Sequence, residues 1–310
     1  MNGKIYLTIL SAILTIFIIL GSISYFIGSY FFNIALDATG NLNNIKVPVD
    51  AATNLTATDQ WFSTKKTVSI SSKDGLKLSG YIFESAKKSN KWVIAVHGYR
   101  GNAYNISTVG ENFNANSYNV LLIDLRGHGS SEGDYISMGI QDSHDLIRWC
   151  NYLNTEYADI DICLYGISMG GATVMSASGN KALPKNVKCI VEDCGFTSAK
   201  AEFTHQLKTL YGRDPFPIIP IANLYTKFKA GFFFGEFAPI KMVKKSKAPI
   251  LFIHGDLDSF VPFDMVNDLY AVAKQPKELF IVKGANHAGS ELVDSKKYYA
   301  TIFNFIDKYM

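Results

Sequence analysis

The sequence predicts an α/β protein: a mostly parallel sheet entered through an antiparallel hairpin, interrupted by a helical cap insertion and preceded by one transmembrane helix. Three observations carry this. Residues 5–36 contain no charge. Residues 67–71 and 76–83 are β-rich runs separated by Lys73-Asp74-Gly75, and Asp-Gly between such runs is a strong hairpin signal. Beyond residue 90, short continuous apolar runs alternate with longer helical stretches, the pattern of a parallel sheet covered on both faces.

Taken in order, the uncharged run comes first. A helix crosses the hydrocarbon layer of roughly 30 Å with about 20 apolar residues, so this one is more than long enough. A cleavable signal peptide should show an apolar region of about 7–15 residues and a small-residue cleavage site, which Ala35-Leu36-Asp37 matches poorly. Tyr25, Tyr30, Phe31 and Phe32 cluster at the far end, where aromatic rings favour the membrane interface, and Lys4 stays on the near side. The expectation is a single-pass anchor at residues 1–36 in the cell membrane, with the remaining domain extracytoplasmic. This run raises the mean hydropathy to +0.08 although 18% of the residues are charged.

Residues 37–63, rich in Asn, Thr, Ala and Asp, suit a stalk or lead-in, so the folded domain is expected over 64–310. After the hairpin the predicted strands are 92–96, 120–123, 160–165, 187–191, 250–253 and 279–282. About 50 residues separate the last two strands from the others, too many for a bare loop. Pro215, Pro217 and Pro220 and a dense set of Phe and Tyr mark this interval, about 197–245, as a cap with its own packing. Those aromatics either wall an apolar pocket or simply form the cap's small core or meet the membrane.

Composition excludes some functions. Lys and Arg total 30 against 27 Asp and Glu, a net charge of +3, which lacks the basic excess of nucleic-acid binders. Cys150, Cys163, Cys189 and Cys194 have no metal-ligand spacing and read as buried free thiols, although an extracytoplasmic location would permit a disulfide. No metal or cofactor is expected.

Gly166-Ile167-Ser168-Met169-Gly170 follows a strand and precedes a helix-compatible run. In that context G-x-S-x-G is a nucleophile elbow, a tight turn that lifts the serine hydroxyl clear of the sheet. A serine hydroxyl needs a base, usually a histidine held by a carboxylate. Of six histidines, His287 lies on the loop after the last strand, where the base should fall. His254-Gly255-Asp256-Leu257-Asp258 delivers the acid: Asp258 is preferred, Asp256 reads better as a loop cap, and Glu192 or Asp193 is a weaker choice. An oxyanion hole needs two backbone donors; Met169 N–H follows the nucleophile, and the His97-Gly98 turn points to Tyr99 N–H. The Gly-rich loop 124–133 lacks a phosphate-binding lysine and reads as a hydrogen-bonded support.

Together His97-Gly98, the 124–133 loop, Gly166 to Gly170, Asp258 and His287 resemble the ordered motifs of the α/β-hydrolase superfamily, from about Thr64 to the C-terminus. More narrowly, the anchor, the 97–102 loop, the Pro- and Phe-rich cap and Phe260-Val261-Pro262-Phe263 look like membrane-anchored, largely uncharacterised hydrolases of Gram-positive bacteria. The resemblance implies an α/β-hydrolase fold and a Ser168–His287–Asp258 triad. The expected reaction is hydrolysis of a small-molecule carboxylic ester with a short acyl or aromatic group. An aminopeptidase-like peptidase and a catalytically inactive membrane-tethered binding module are the alternatives.

Overall fold

The computed structural model describes residues 3–39, 59–274 and 276–310, so the middle of the expected lead-in, 40–58, lies outside the described residues. Helix α1 (Gly3–Ala35) comes first, followed by the short α2 (Asp59–Ser63) and the hairpin strands β1 (Lys66–Ser71) and β2 (Lys77–Phe83). The doubly wound body runs β3 (Lys91–Val96), α3 (Ser107–Ala115), β4 (Asn119–Ile123), α4 (Asp142–Glu156), β5 (Asp161–Ile167), α5 (Met169–Ser178) and β6 (Val187–Asp193). An insertion of α6 (Ala199–Tyr211), α7 (Ile218–Ala230) and α8 (Pro239–Val243) precedes β7 (Ile250–Gly255), α9 (Asp264–Val272), β8 (Lys277–Val282), α10 (Ser290–Val293) and α11 (Ser295–Ile306).

The eight strands form one sheet in the order β1-β2-β4-β3-β5-β6-β7-β8. The pairs β1/β2 and β2/β4 are antiparallel and the rest parallel, as the alternation of runs predicts. The chain winds one way from β3 to β4 and then crosses to β5 on the other side of β3. That reversal leaves a crevice beyond the C-terminal ends of β3 and β5, where such sheets bind ligands. In register, Val96 pairs with Gly166 and Ile167 with Asp193, so the loops after these strands emerge together. Alternate side chains serve the two faces: Trp92, Ile94 and Val96 join one core with α4 and α5, while Val93 and Ala95 join the other with α3 and α11.

All four cysteines are buried free thiols, including Cys163 and Cys189, which are opposite each other on β5 and β6. The expected lead-in differs at both ends from a loose stalk. Directly after α1, Ile136 N–H donates to Leu36 O at 2.7 Å and Ala38 N–H to Asp134 O at 3.1 Å. At the other end, Trp61 of α2 stacks on Phe83 with 3.9 Å between ring centroids. The Asn- and Thr-rich composition masks these anchoring apolar residues, so packing begins before residue 64.

The insertion is helical, and its aromatics divide: Phe203 and Tyr211 line a cavity while others form the cap's core or face outward. Phe232 and Phe234 are buried, Phe203 packs on Phe234 and also on Phe31 of α1, and Phe216 and Phe228 face outward. Lys241, Lys244, Lys245 and Lys247 are exposed, as a solvated surface should be.

Candidate active site

Ser168 sits between β5 and α5 with φ 56° and ψ −117°. A non-glycine residue in positive φ is strained, and the surroundings must hold it there. They do so by close backbone approach: a Cβ on Gly166 would run into the Gly170 carbonyl, and one on Gly170 into that of Val96. Ser168 N–H donates to Asp193 O at 2.8 Å, fixing the turn to the neighbouring strand.

His287, on the loop after β8, places Nε2 2.9 Å from Ser168 Oγ and Nδ1 2.7 Å from Asp258 Oδ2. A carboxylate only accepts, so Nδ1 carries the proton and Nε2 is left to accept from the serine hydroxyl. Asp258 Oδ1 is held by the N–H groups of Phe260 at 3.0 Å and Val261 at 2.9 Å. Burial disfavours its charge, but the hydrogen bonds from His254 and His287 outweigh that and bring Asp258 to about 2. It is therefore ionised at any neutral pH.

The other candidate acids have different partners. Asp256 Oδ1 accepts from Gly284 N–H at 2.6 Å and caps the loop carrying His287. Glu192 Oε2 accepts from Gly195 N–H at 2.9 Å, and Asp193 accepts from Tyr298 Oη at 2.8 Å and Ser290 Oγ at 3.3 Å. Burial pushes Glu192 up to about 8, so it holds its proton.

Tyr99 and Met169 flank Ser168, and among the described residues neither backbone N–H has an acceptor. The loop approaches closely: a Cβ on Gly98 would lie 3.4 Å from Ser168 Cβ. Two buried imidazoles shape it. His97 Nε2 accepts from Leu125 N–H at 3.1 Å, leaving Nδ1–H to donate to Gly98 O at 2.7 Å, and burial lowers this ring to about 3, so it stays neutral. His128 Nε2 accepts from Arg100 N–H at 3.2 Å. Asp124 accepts from the N–H groups of Ala103 and Ser130, both at 2.8 Å. The 124–133 loop thus supports the site.

Three features escaped the sequence reading. His254 lies under the acid, with Nε2 3.3 Å from Asp258 Oδ2; its only signal was the i,i+4 spacing. Glu202 of α6 is buried, Oε1 accepts from Gln206 Nε2 at 2.7 Å, and Oε2 has no partner. Burial pushes its carboxyl up to about 8. Third, a cavity of about 890 Å³ meets Ser168, Tyr99 and Met169 and is walled on one side by α6 and on another by α1 residues from Phe26 to Ala35. The aromatic cluster at 25–32 was the available signal, read as a membrane belt alone.

A possible metal trio exists: Cys194 Sγ, an Asp258 oxygen and a His287 nitrogen lie within 4.8 Å of one another. Two of the three groups are already engaged, because His287 Nδ1 is bonded to Asp258 Oδ2 at 2.7 Å and Nε2 to Ser168 Oγ at 2.9 Å, and burial raises the Cys194 thiol above its ordinary value. A metal needs the thiolate.

Residues 87–214 match the family model described as serine aminopeptidase, S33. The uncharacterised protein YqkD of Bacillus subtilis is 28% identical over 240 residues, covering 77% of this chain and 78% of its own. An α/β-hydrolase domain-containing protein of Arabidopsis thaliana, WAV2, is 27% identical over 62% of this chain and 61% of its own. Among solved structures, an esterase of Pyrococcus furiosus superposes with a TM-score of 0.65 at 25% identity, covering 79% of this chain and 93% of that one. An acylaminoacyl peptidase of Pyrococcus horikoshii gives 0.61 at 18% identity, over 77% of this chain and 41% of that one.

Proposed function

We propose, from the premise that the chain belongs to the α/β-hydrolase superfamily, that it is a membrane-anchored serine hydrolase of carboxylic esters. The observation that carries the reading is the relay from Ser168 Oγ through His287 to Asp258, with two unused N–H donors beside the hydroxyl.

Ser168 Oγ attacks the ester carbonyl while His287 Nε2 takes its proton, and the imidazolium is stabilised by ionised Asp258. The Tyr99 and Met169 N–H groups hold the oxyanion. Collapse expels the alcohol, which receives the proton from His287, and leaves an acyl-serine. Water then attacks the acyl carbon, gives its proton to His287 and releases the acid as Ser168 recovers its own. No cofactor is required. The apolar cavity wall favours a neutral ester over a charged substrate. A hole with waiting donors speaks against an inactive binding module.

One observation favours the peptidase alternative: Glu202, an acidic residue whose Oε2 has no hydrogen-bond partner among the described residues, belongs to the cavity wall near Ser168. A carboxyl that keeps its proton to about 8 is a better donor than a cation receptor, so the ester reading stands first.

The test uses the full chain in detergent with p-nitrophenyl esters, amino-acid arylamides, a fluorophosphonate probe and Ser168→Ala. Ester turnover and labelling, both lost in the variant, are expected. No turnover and no labelling of the wild type would sink the enzyme reading, and selective arylamide turnover would promote the peptidase. Membrane placement, with the domain outside, is tested by mass analysis of the mature N-terminus and protease accessibility in intact cells.

A further inference from the structure

Helix α1 has two distinct parts. Residues 5–23 are exposed throughout, and at 1.5 Å per residue that stretch is about 28 Å long, close to the roughly 30 Å of a hydrocarbon layer. From Ser24 onward the helix docks: Gly28 lies against Tyr225 of α7, and Phe32 is buried in the core. With residues 5–23 taken as the spanning part of the proposed anchor, the end of the free stretch lies at the level of the membrane surface.

The cavity begins about one turn past that level. Phe26, the first α1 residue in its wall, is about 5 Å along the axis from Ile23, and Ala35, the last, is about 14 Å further, beside Tyr99. One helix thus lines a continuous apolar path from the bilayer boundary to the serine. The neighbouring cap surface has matching character: Phe216, Leu224 and Phe228 are 79%, 67% and 86% exposed, an apolar patch with no protein partner among the described residues. Leu224 and Phe228 share one face of α7, the helix packed on α1.

We propose that the substrate is a membrane-resident ester with a single long acyl chain, which reaches Ser168 along α1 with its tail trailing back to the bilayer. This rests on the serine-hydrolase reading and names its substrate class in place of a short acyl group. Each methylene fills roughly the 30 Å³ of a water molecule, so one 16-carbon chain takes about 480 Å³. The cavity's 890 Å³ accommodates such a chain. Hydrolysis consumes one water and yields the fatty acid and the free alcohol; the acid can return to the bilayer by the same path.

The experiment places the full chain in phosphatidylcholine vesicles and compares p-nitrophenyl palmitate, dissolved in the bilayer, with p-nitrophenyl butyrate in water. The wild type should favour the palmitate ester by about tenfold or more in kcat/KM. Ile27→Trp, which fills the path, should remove that preference by loss on palmitate, whereas Leu10→Trp in the exposed stretch should not. Thermal unfolding checks that Ile27→Trp folds. Independently of any variant, a hexadecyl fluorophosphonate should label wild-type Ser168 in vesicles about tenfold faster than an ethyl one. Butyrate turnover with no palmitate preference and no hexadecyl advantage overturns this proposal alone. No turnover of either ester together with no labelling overturns the serine-hydrolase reading and this with it.

Discussion

Tyr99 Oη donates a hydrogen bond to the Ala35 carbonyl at 2.7 Å, tying the loop beside Ser168 to the last turn of α1. Arg100 reinforces the tie, with Nη2 donating to Ile34 O at 3.1 Å, a cation placed at the negative end of the helix dipole. Helix α1 therefore takes part in placing the loop proposed to hold the oxyanion.

Tyr99→Phe removes that tie and leaves the backbone N–H in place. It should lower kcat by about three- to tenfold, with a smaller change in KM, because a looser donor costs most in the transition state. Steady-state kinetics on one soluble ester decide it; an unchanged kcat would mean the loop is held by His97 and His128 alone.

The acid assignment separates two aspartates two residues apart. Asp258→Asn leaves His287 Nδ1 facing an amide that can present a donor, so the imidazole adopts the wrong tautomer and kcat should fall by about 10³–10⁴. Asp256→Asn keeps an oxygen that accepts from Gly284 N–H and loses only its charge, so it should cost at most about 1 kcal/mol of stability with kcat within a few fold. The reverse order of kcat losses would move the acid to Asp256.

A pH test follows from Glu202. Burial raises it from 4.5 to about 8, so between those values the folded chain keeps a proton that the unfolded chain has lost. Its effect on stability is absent below about 4.5, grows as pH rises from there to about 8, and is constant above. Glu202→Gln removes this penalty, so it should be more stable than wild type by up to about 5 kcal/mol at pH 9, and little different at pH 4.5. An equal difference at both values, read by denaturant unfolding, would show that the carboxyl is not held protonated.

The parts legible in sequence were those fixed by local rules. Strand periodicity, the Asp-Gly turn and the glycines around Ser168 each act over a few residues, so the sheet and the elbow could be read directly. His254 and Glu202 stayed hidden because their roles depend on burial against distant elements. The double duty of α1 stayed hidden for a related reason: an uncharged helix carries the same composition whether its faces meet lipid or protein. The docking of Phe31 on Phe203 and the burial of Phe32 in the core tell the two apart.

Gly28 is where that docking can be perturbed with one methyl group. A Cβ there would lie 2.5 Å from Tyr225 Cβ and 2.8 Å from its Cγ, so α1 and α7 must separate to admit it. The contact is with the stem of the tyrosine, which cannot swing aside as a flexible tip would. Gly28→Ala should cost about 1–3 kcal/mol through overpacking, although Ala is the better helix former in isolation. Because the same two helices border the cavity and the exposed cap patch, the variant should also lose turnover of a bilayer-dissolved ester more than of a soluble one. Thermal unfolding and paired kinetics in vesicles measure both. A stabilised Gly28→Ala would mean that α1 does not pack on α7 in the protein in vesicles.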